Sequence, residues 1–194
     1  MQYSAGIVSK SFWYLESRKT VEYILKGLSR HEVVELSLNE NIFQTNSQRR
    51  AQEIASTLYK RFENFPEKIL QCFLEVDSKT AKIFVLICIL KLDKLFFEFI
   101  YEVFQEHVLL GNLKLEQKDL NIFFENKIMQ SEKVSTWKEE TISRLKRSYL
   151  TMLRKAEILD EKNNITIPFI DLDFEKLLVN EGYKPFLDAI GVEG

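Results

Sequence analysis

The chain has 194 residues, 27 of them Lys or Arg and 29 Asp or Glu, for a formal net charge of -2, with 45% hydrophobic and 29% charged residues. That length supports one substantial core or two small ones, and the composition excludes a disordered chain. Six glycines and three prolines are few, and with abundant Leu, Ile, Lys and Glu they predict an all-α protein of long helices joined by short connections.

The opening segment MQYSAGIVSKSFWY lacks the basic start and continuous apolar stretch of a signal peptide, so the expected location is the cytoplasm. Phe12, Trp13 and Tyr14 are three consecutive aromatics that one helix cannot turn toward one core, which makes them a candidate patch for a neighbouring lobe or a partner. Ser17 then caps a helix through Val21, Ile24, Leu25 and Leu28, with Gly27 near its end. Ser29 and Glu32 stand in capping-box spacing and start a second helix. A third begins at Asn46 or Ser47, with an apolar face of Ala51, Ile54, Ala55, Leu58 and Phe62. Gln48, Arg49 and Arg50 occupy its first turn, where helix-turn-helix proteins place groove-reading side chains. Against that reading, cations at a helix start are electrostatically misplaced unless an anion is near, and the preceding connection is longer than a tight turn.

Pro66 opens a fourth helix. Asp77 or Ser78 then caps a pair of helices running from Thr80 to about Leu109. Within it the uninterrupted apolar run spans only Ile83 to Leu90, well short of the roughly 20 residues that cross a bilayer. Lys91, Lys94, Glu98 and Glu102 follow at helical spacing, so no membrane association is expected. Gly111 and Asn112 break the pattern, EQKDLNIFFENKIMQ forms another helix, and Thr136 with Glu139 predicts a capping box for a long helix reaching about Glu157.

From Ser143 to Lys155 that helix carries Arg144, Lys146, Arg147, Arg154 and Lys155 without an acid. Arg144, Arg147, Ser148, Thr151 and Lys155 share one face, while Ile142, Leu145, Tyr149, Met152 and Ala156 share another that can be buried. A basic, hydroxyl-bearing face over a buried one suits docking against phosphates; the plainer alternative is a solvated cationic face. Ile158 and Leu159, the polar turn DEKNN and the β-branched ITIPFI then follow the order of recognition helix and wing in winged-helix domains, with Lys162, Asn163 and Asn164 at the tip. No separate middle helix is legible between Gln130 and Thr136, and an ordinary turn explains the same residues. The tail forms a last helix.

The expected architecture is a compact multi-helix globular protein with helix-turn-helix-like lobes and room for one short C-terminal β-hairpin. Its parts are a three-helix lobe over residues 1–65, central buried helices over 66–112 and a basic-helix lobe over 113–194, making one compact unit.

Cys72 and Cys88 sit in apolar helical patterns, as buried thiols rather than a disulfide framework. His31 and His107 lack the closely spaced partners of a metal motif, no phosphate-binding glycine loop exists, and no serine sits in a nucleophile elbow. Neither a metal, a cofactor nor catalysis is expected. Phe62, Phe73, Phe84, Phe96 and Phe99 are explained by core packing rather than by base stacking.

The segments YSAGIVSKSFWYLESRKTVEYILKGLS, ENIFQTNSQRRAQEIASTLYKRF, DSKTAKIFVLICILKLDKLFFEFIYEV and DLNIFFENKIMQSEKVSTWKEETISRLKRSYLTMLRKAEIL resemble, in order, the BrxA family of bacteriophage exclusion (BREX) defence systems. The resemblance spans most of the chain and implies a small, all-helical cytoplasmic protein encoded beside a DNA methyltransferase, an ATPase and other defence factors, with nucleic-acid binding proposed for the family. The family has also been likened to the RNA-binding antitermination protein NusB and sometimes labelled a membrane protein, a label the amphipathic pattern contradicts. No agreed functional residues carry over.

The leading expectation is a noncatalytic accessory that binds double-stranded DNA weakly and with strong salt dependence, through Arg144, Arg147, Ser148, Thr151, Arg154, Lys155 and Lys162 and through Gln48, Arg49 and Arg50. The alternatives are a scaffold for other BREX proteins, using the aromatics at 12–14 or the acids near Asp171 to Glu175, and a NusB-like RNA binder.

Overall fold

Local capping chemistry divides the chain into its helices. The computed structural model describes residues 2–192. A short 3-10 turn, Gly6–Ser9, leads into α1 (Tyr14–Leu25), which starts at Trp13 in a left-handed conformation, φ 53°. Ser17, expected to cap this helix, is instead buried inside it. The helix closes in a Schellman turn: Gly27, at φ +81°, donates to the Ile24 carbonyl and Leu28 to the Tyr23 carbonyl. Ser29 opens α2 (Arg30–Asn39) with the anticipated capping box, in which the Ser29 hydroxyl accepts from the Glu32 amide and the Glu32 carboxylate accepts from the Ser29 amide. Ser47 caps α3 (Gln48–Phe62), whose Ala51, Ile54, Ala55, Leu58 and Phe62 are all buried.

Pro66 precedes α4 (Glu67–Glu75), and the Asp77 carboxylate caps α5 (Ser78–Leu92) by accepting from the Lys79 and Thr80 amides. Every residue from Ile83 to Leu90 is buried, because neighbours surround this stretch on all sides. Among the described residues no helix is long and apolar enough to cross a membrane. Asp93, in an extended conformation, ends α5 and caps α6 (Lys94–Phe99), its carboxylate accepting from the Phe96 amide at 3.0 Å. The helix continues through a π-helical turn, Ile100–Phe104, into α7 (Gln105–Leu109).

After Gly111 come α8 (Gln117–Gln130), the short α9 (Glu132–Ser135), α10 (Glu139–Lys155), α11 (Leu172–Asn180) and α12 (Lys184–Ala189). Three details differ from the pattern read in the sequence. The tail, read as one last helix, is the two helices α11 and α12, parted where Gly182 turns the chain at φ +85°. Thr136 does not cap α10: its hydroxyl donates to the Lys133 carbonyl at the end of α9, and α10 starts at Lys138 without a side-chain cap. In addition, α9 is the middle helix whose sequence signal was missing, capped by Ser131. Four residues give too little periodicity to register.

The segment after α10 doubles back in a turn but builds only isolated bridges, Leu159 with Ile165 and Asn164 with Lys114. Backbone bonds from Thr166 to Ile158 and from Ile165 to Leu113 extend the pairing, so this segment, its return and the chain just before α8 run as three short lanes.

The buried side chains form one contiguous cluster. Phe84 of α5 meets Phe62, Phe65, Phe73 and Phe174 with ring centroids 5.0 to 6.2 Å apart. Farther along, Tyr149 of α10 stacks on Phe96 at 4.4 Å and contacts Phe99 and Phe124. Each buried phenylalanine ring contributes on the order of 2 to 3 kcal/mol by leaving water; for Tyr149 the hydroxyl, buried without a hydrogen-bond partner among the described residues, offsets part of that gain, and its stacking fixes which way α10 faces.

Candidate nucleic-acid interface

The register of α10 follows from its buried residues. Ile142, Leu145, Tyr149, Met152 and Ala156 are all buried, and Arg144, Arg147, Thr151 and Lys155 are exposed opposite them, with Ser148 half-buried between. Glu139 and Glu140 lie in the first turn and Arg154 and Lys155 in the last, each sign at the helix end that favours it. The helix dipole thus favours positive charge at the C-terminal end.

That basic face does not open onto flat solvent. The 3-10 turn Gly6–Ser9 packs against α10, and the chain from Val8 to Glu16 forms the opposite wall of a cleft of about 820 Å3. Arg144, Arg147, Ser148, Thr151, Arg154 and Lys155 line one side, and Lys10, Ser11 and Tyr14 line the other. Lys82 and Glu157 also line the cleft and pair at 2.5 Å, with the Lys82 ammonium over the Tyr14 ring at 5.6 Å.

The cations differ in how far they are already engaged. Arg144 and Lys155 have no ion pair or hydrogen bond among the described residues, and Arg147 reaches only the carbonyl of Ser143 in its own helix, at 3.4 Å. Arg154, by contrast, is committed to the hairpin: it donates to Asn163 Oδ1 at 2.6 Å and to the Asp160 carbonyl, and lies 3.7 Å from Glu161. The Thr151 hydroxyl donates back to the Arg147 carbonyl, leaving its lone pairs but not its proton for a ligand. Lys146 lies off this face, bonded to Asn121 at 2.8 Å.

Lys162 stands exposed at the hairpin tip. The Asp160 carboxylate holds that tip by accepting from the Asn164 side chain, which leads in keeping its pKa below the ordinary value, and from the amides of Asn164 and Lys162. Asn163 takes the left-handed conformation at φ 62° that Asn tolerates.

Gln48, Arg49 and Arg50 do not line the α10 cleft. Arg50 is tied down, donating to Glu53 at 2.9 Å, to the Ser9 carbonyl and to the Ser11 hydroxyl, with its guanidinium 4.8 Å from the Trp13 ring centre. Gln48 and Arg49 are exposed.

Lys10, Ser11, Tyr14 and Lys82 join the site only through the fold, and no spacing in the sequence marks them. The aromatic run at 12–14 is also placed differently from a docking patch. Phe12 and Trp13 are buried, and Trp13 lies between the guanidinium groups of Arg50 and Arg61. Arg61 is itself buried and donates to the Phe12 and Ser11 carbonyls, both at 2.9 Å; burial without a carboxylate partner lowers its pKa to about 10. The aromatics therefore anchor the cleft wall. Among the described residues no cluster of His, Cys, Asp or Glu is arranged to hold a metal ion.

Comparison with known proteins agrees with this geometry at the level of fold and family. A crystal structure of an uncharacterized protein from Magnetospirillum magneticum superposes with a TM-score of 0.83 over the full length of both chains at 17% identity, which shows a shared fold. The BREX protein BrxA of Bacillus cereus (strain H3081.97) is 38% identical over 191 residues, covering 97% of this chain and 96% of that protein. The family model for BrxA matches residues 1–182. With a family match across nearly its whole length, the chain belongs to the BrxA family.

Proposed function

We propose that this protein is a noncatalytic, cytoplasmic accessory of BREX phage defence that binds double-stranded DNA through the α10 cleft. Membership of the BrxA family supports the role in BREX defence. The observation that carries DNA binding is the unpartnered charge in the cleft. In a chain of net charge -2, Arg144 and Lys155 face the same opening with no acid engaged, beside an Arg147 held only by its own helix. Unpaired cations on a rigid helix, with the Ser148 hydroxyl between them, match the spaced charge of a phosphate backbone. Nothing about the face demands base readout, so its part is to position the protein on the duplex. Few phosphates are neutralised, which makes binding modest and steeply salt-dependent.

The test is fluorescence anisotropy with a labelled duplex across a salt series. Replacing Arg144→Glu together with Arg147→Glu should weaken low-salt binding by about tenfold or more and lower the salt slope by about 2. Unchanged affinity in that variant removes α10 as the site. Competition with structured RNA separates this reading from an RNA-binding one, since an RNA reader prefers the RNA.

A second reading is contact with other BREX proteins. With Phe12 and Trp13 buried, its support passes to exposed apolar side chains such as Leu109, Leu110 and Met129. Co-purification with the neighbouring gene products tests it: a complex that survives loss of these side chains speaks against this surface.

A further inference from the structure

We infer that the segment from Thr166 to Ile170 is a self-association edge, on which a second copy of this chain pairs antiparallel about Pro168. None of the residues that carry this inference lines the α10 cleft, so it stands apart from the DNA-binding reading.

The middle lane of the pairing after α10 is held on both sides. Thr166 donates to the Ile158 carbonyl on one side, and Ile165 donates to the Leu113 carbonyl on the other. Both neighbours then leave, one leading back into α10 and the other turning at Gly111 into α7. The middle lane continues alone to Asp171, whose amide donates to the Thr80 hydroxyl. Between these anchors the amides of Ile167 and Phe169 have no acceptor among the described residues. Free donors two residues apart are the pattern of one edge of an antiparallel pair, and an unpaired edge is a template for another strand. Pro168 fits between them, because the intervening position on such an edge needs no donor.

The side chains agree with the backbone. Phe169 is 79% exposed, more than any other large apolar side chain among the described residues, and Ile167 and Leu172 beside it are exposed as well. Ile165 and Ile170 are buried and hold the segment to the core. A single exposed apolar side chain needs no partner, whereas a run of them along free backbone donors marks an interaction surface.

The occupant is a second copy because the edge is complementary to itself. With Pro168 at the centre, Ile167 of each copy faces Phe169 of the other, a β-branched and aromatic pairing that stabilises adjacent strands. The charges favour the same direction. Before the segment, exposed Lys114, bridged to Asn164, has no ion pair among the described residues, and the acids near it are engaged elsewhere, Glu116 by Lys118 and Glu161 by Arg154. After the segment, exposed Asp171 has no ion pair, and Asp173 lies 3.5 Å from Lys176 with both side chains in solvent. A two-fold axis sets the basic approach of each copy against the acidic exit of the other, where a parallel arrangement would set like against like. The apolar strip offers roughly 350 Å2 per copy, short of the roughly 800 Å2 per partner of a standard interface, so the dimer is a weak one. Its dissociation constant should be on the order of 100 µM.

Sedimentation equilibrium of the full-length protein from about 10 µM to about 1 mM reads this association. Wild type should pass from monomer to dimer across that range. Phe169→Glu, at a position open to solvent, should weaken association by about tenfold or more while thermal melts show the fold unchanged. Lys114→Glu and Asp173→Lys should each associate more weakly alone, and an equimolar mixture of the two should recover wild-type association, since opposite charges meet again at both ends. A wild-type chain that stays monomeric throughout overturns the proposal, as does a Phe169→Glu variant that associates like wild type. A mixture no stronger than either variant alone overturns the antiparallel pairing.

Discussion

Arg61 is a cation in the core whose hydrogen-bonding partners are two carbonyl oxygens, those of Ser11 and Phe12, and whose flat face lies 5.4 Å from the Trp13 ring centre. A guanidinium is suited to this because it is planar, weakly hydrated for a cation and able to bond two acceptors in fixed geometry. Replacing Arg61→Met keeps much of the volume and removes the donors, leaving two buried carbonyls unsatisfied; urea unfolding should show a loss of about 2 to 4 kcal/mol. A loss within error would mean that water reaches those carbonyls and that Arg61 does not anchor the segment. Neither neighbouring motif nor periodicity marks this role. On sequence alone Arg61 is another cation near the end of a basic helix, where such residues are common.

At the scale of elements, the π turn from Ile100 to Phe104 is the most irregular feature of the long helix that begins at Lys94. It accommodates one residue more than an α turn while keeping Phe96 and Phe99 before it and Phe104 after it in the core. Deleting exposed Tyr101 should let this turn relax to α geometry with the flanking faces in phase. Deleting exposed Glu125 from the regular helix α8, which holds no extra residue, should rotate everything after it by about 100° and scramble the packing. Thermal melting of the two deletions checks this; equal losses would show that the turn confers no tolerance. Other elements were legible in advance for physical reasons that are equally specific. The Ser29 and Glu32 box, Ser47, Asp77 and the α10 register are all set by neighbours in sequence. Ser17 and Thr136 carry the same local signals without capping the predicted helices. Packing starts α1 earlier, at Trp13, and α9 takes the Thr136 hydroxyl for its own end. The family resemblance conveyed order and class, but not which of the basic residues stay free.

Across the whole molecule, distant parts meet at Lys127 of α8. Its buried ammonium bonds Glu98 and Glu102 at 2.6 Å each, and Tyr3 donates to the same Glu98 carboxylate at 2.7 Å. Burial opposes charge on both Lys127 and Glu98, yet the mutual hydrogen bonds outweigh it, raising the Lys127 pKa and lowering that of Glu98. The lowered Glu98 value stabilises the fold above the ordinary 4.5 and loses that contribution as pH falls through the depressed value. The raised Lys127 value contributes from acid up to the ordinary 10.5 and is lost only as pH rises through the elevated value. Between those limits Lys127→Met should be destabilising, because the largely buried Glu98 carboxylate loses its closest cation and keeps only Tyr3 and, at 3.5 Å, Lys94. The gap to wild type should narrow as acid protonates Glu98, as read by urea midpoints over a pH series. A gap that does not change with pH would assign the loss to packing alone.

The placement of Val8 to Glu16 opposite α10 bears on how the cleft comes into being during folding. Its two walls belong to segments remote from each other in sequence. Contacts so remote are costly to close early, so the cleft is completed only once the turn Gly6–Ser9 has packed against α10. The cleft therefore reports tertiary packing rather than helix formation: α10 can be helical before the cleft exists.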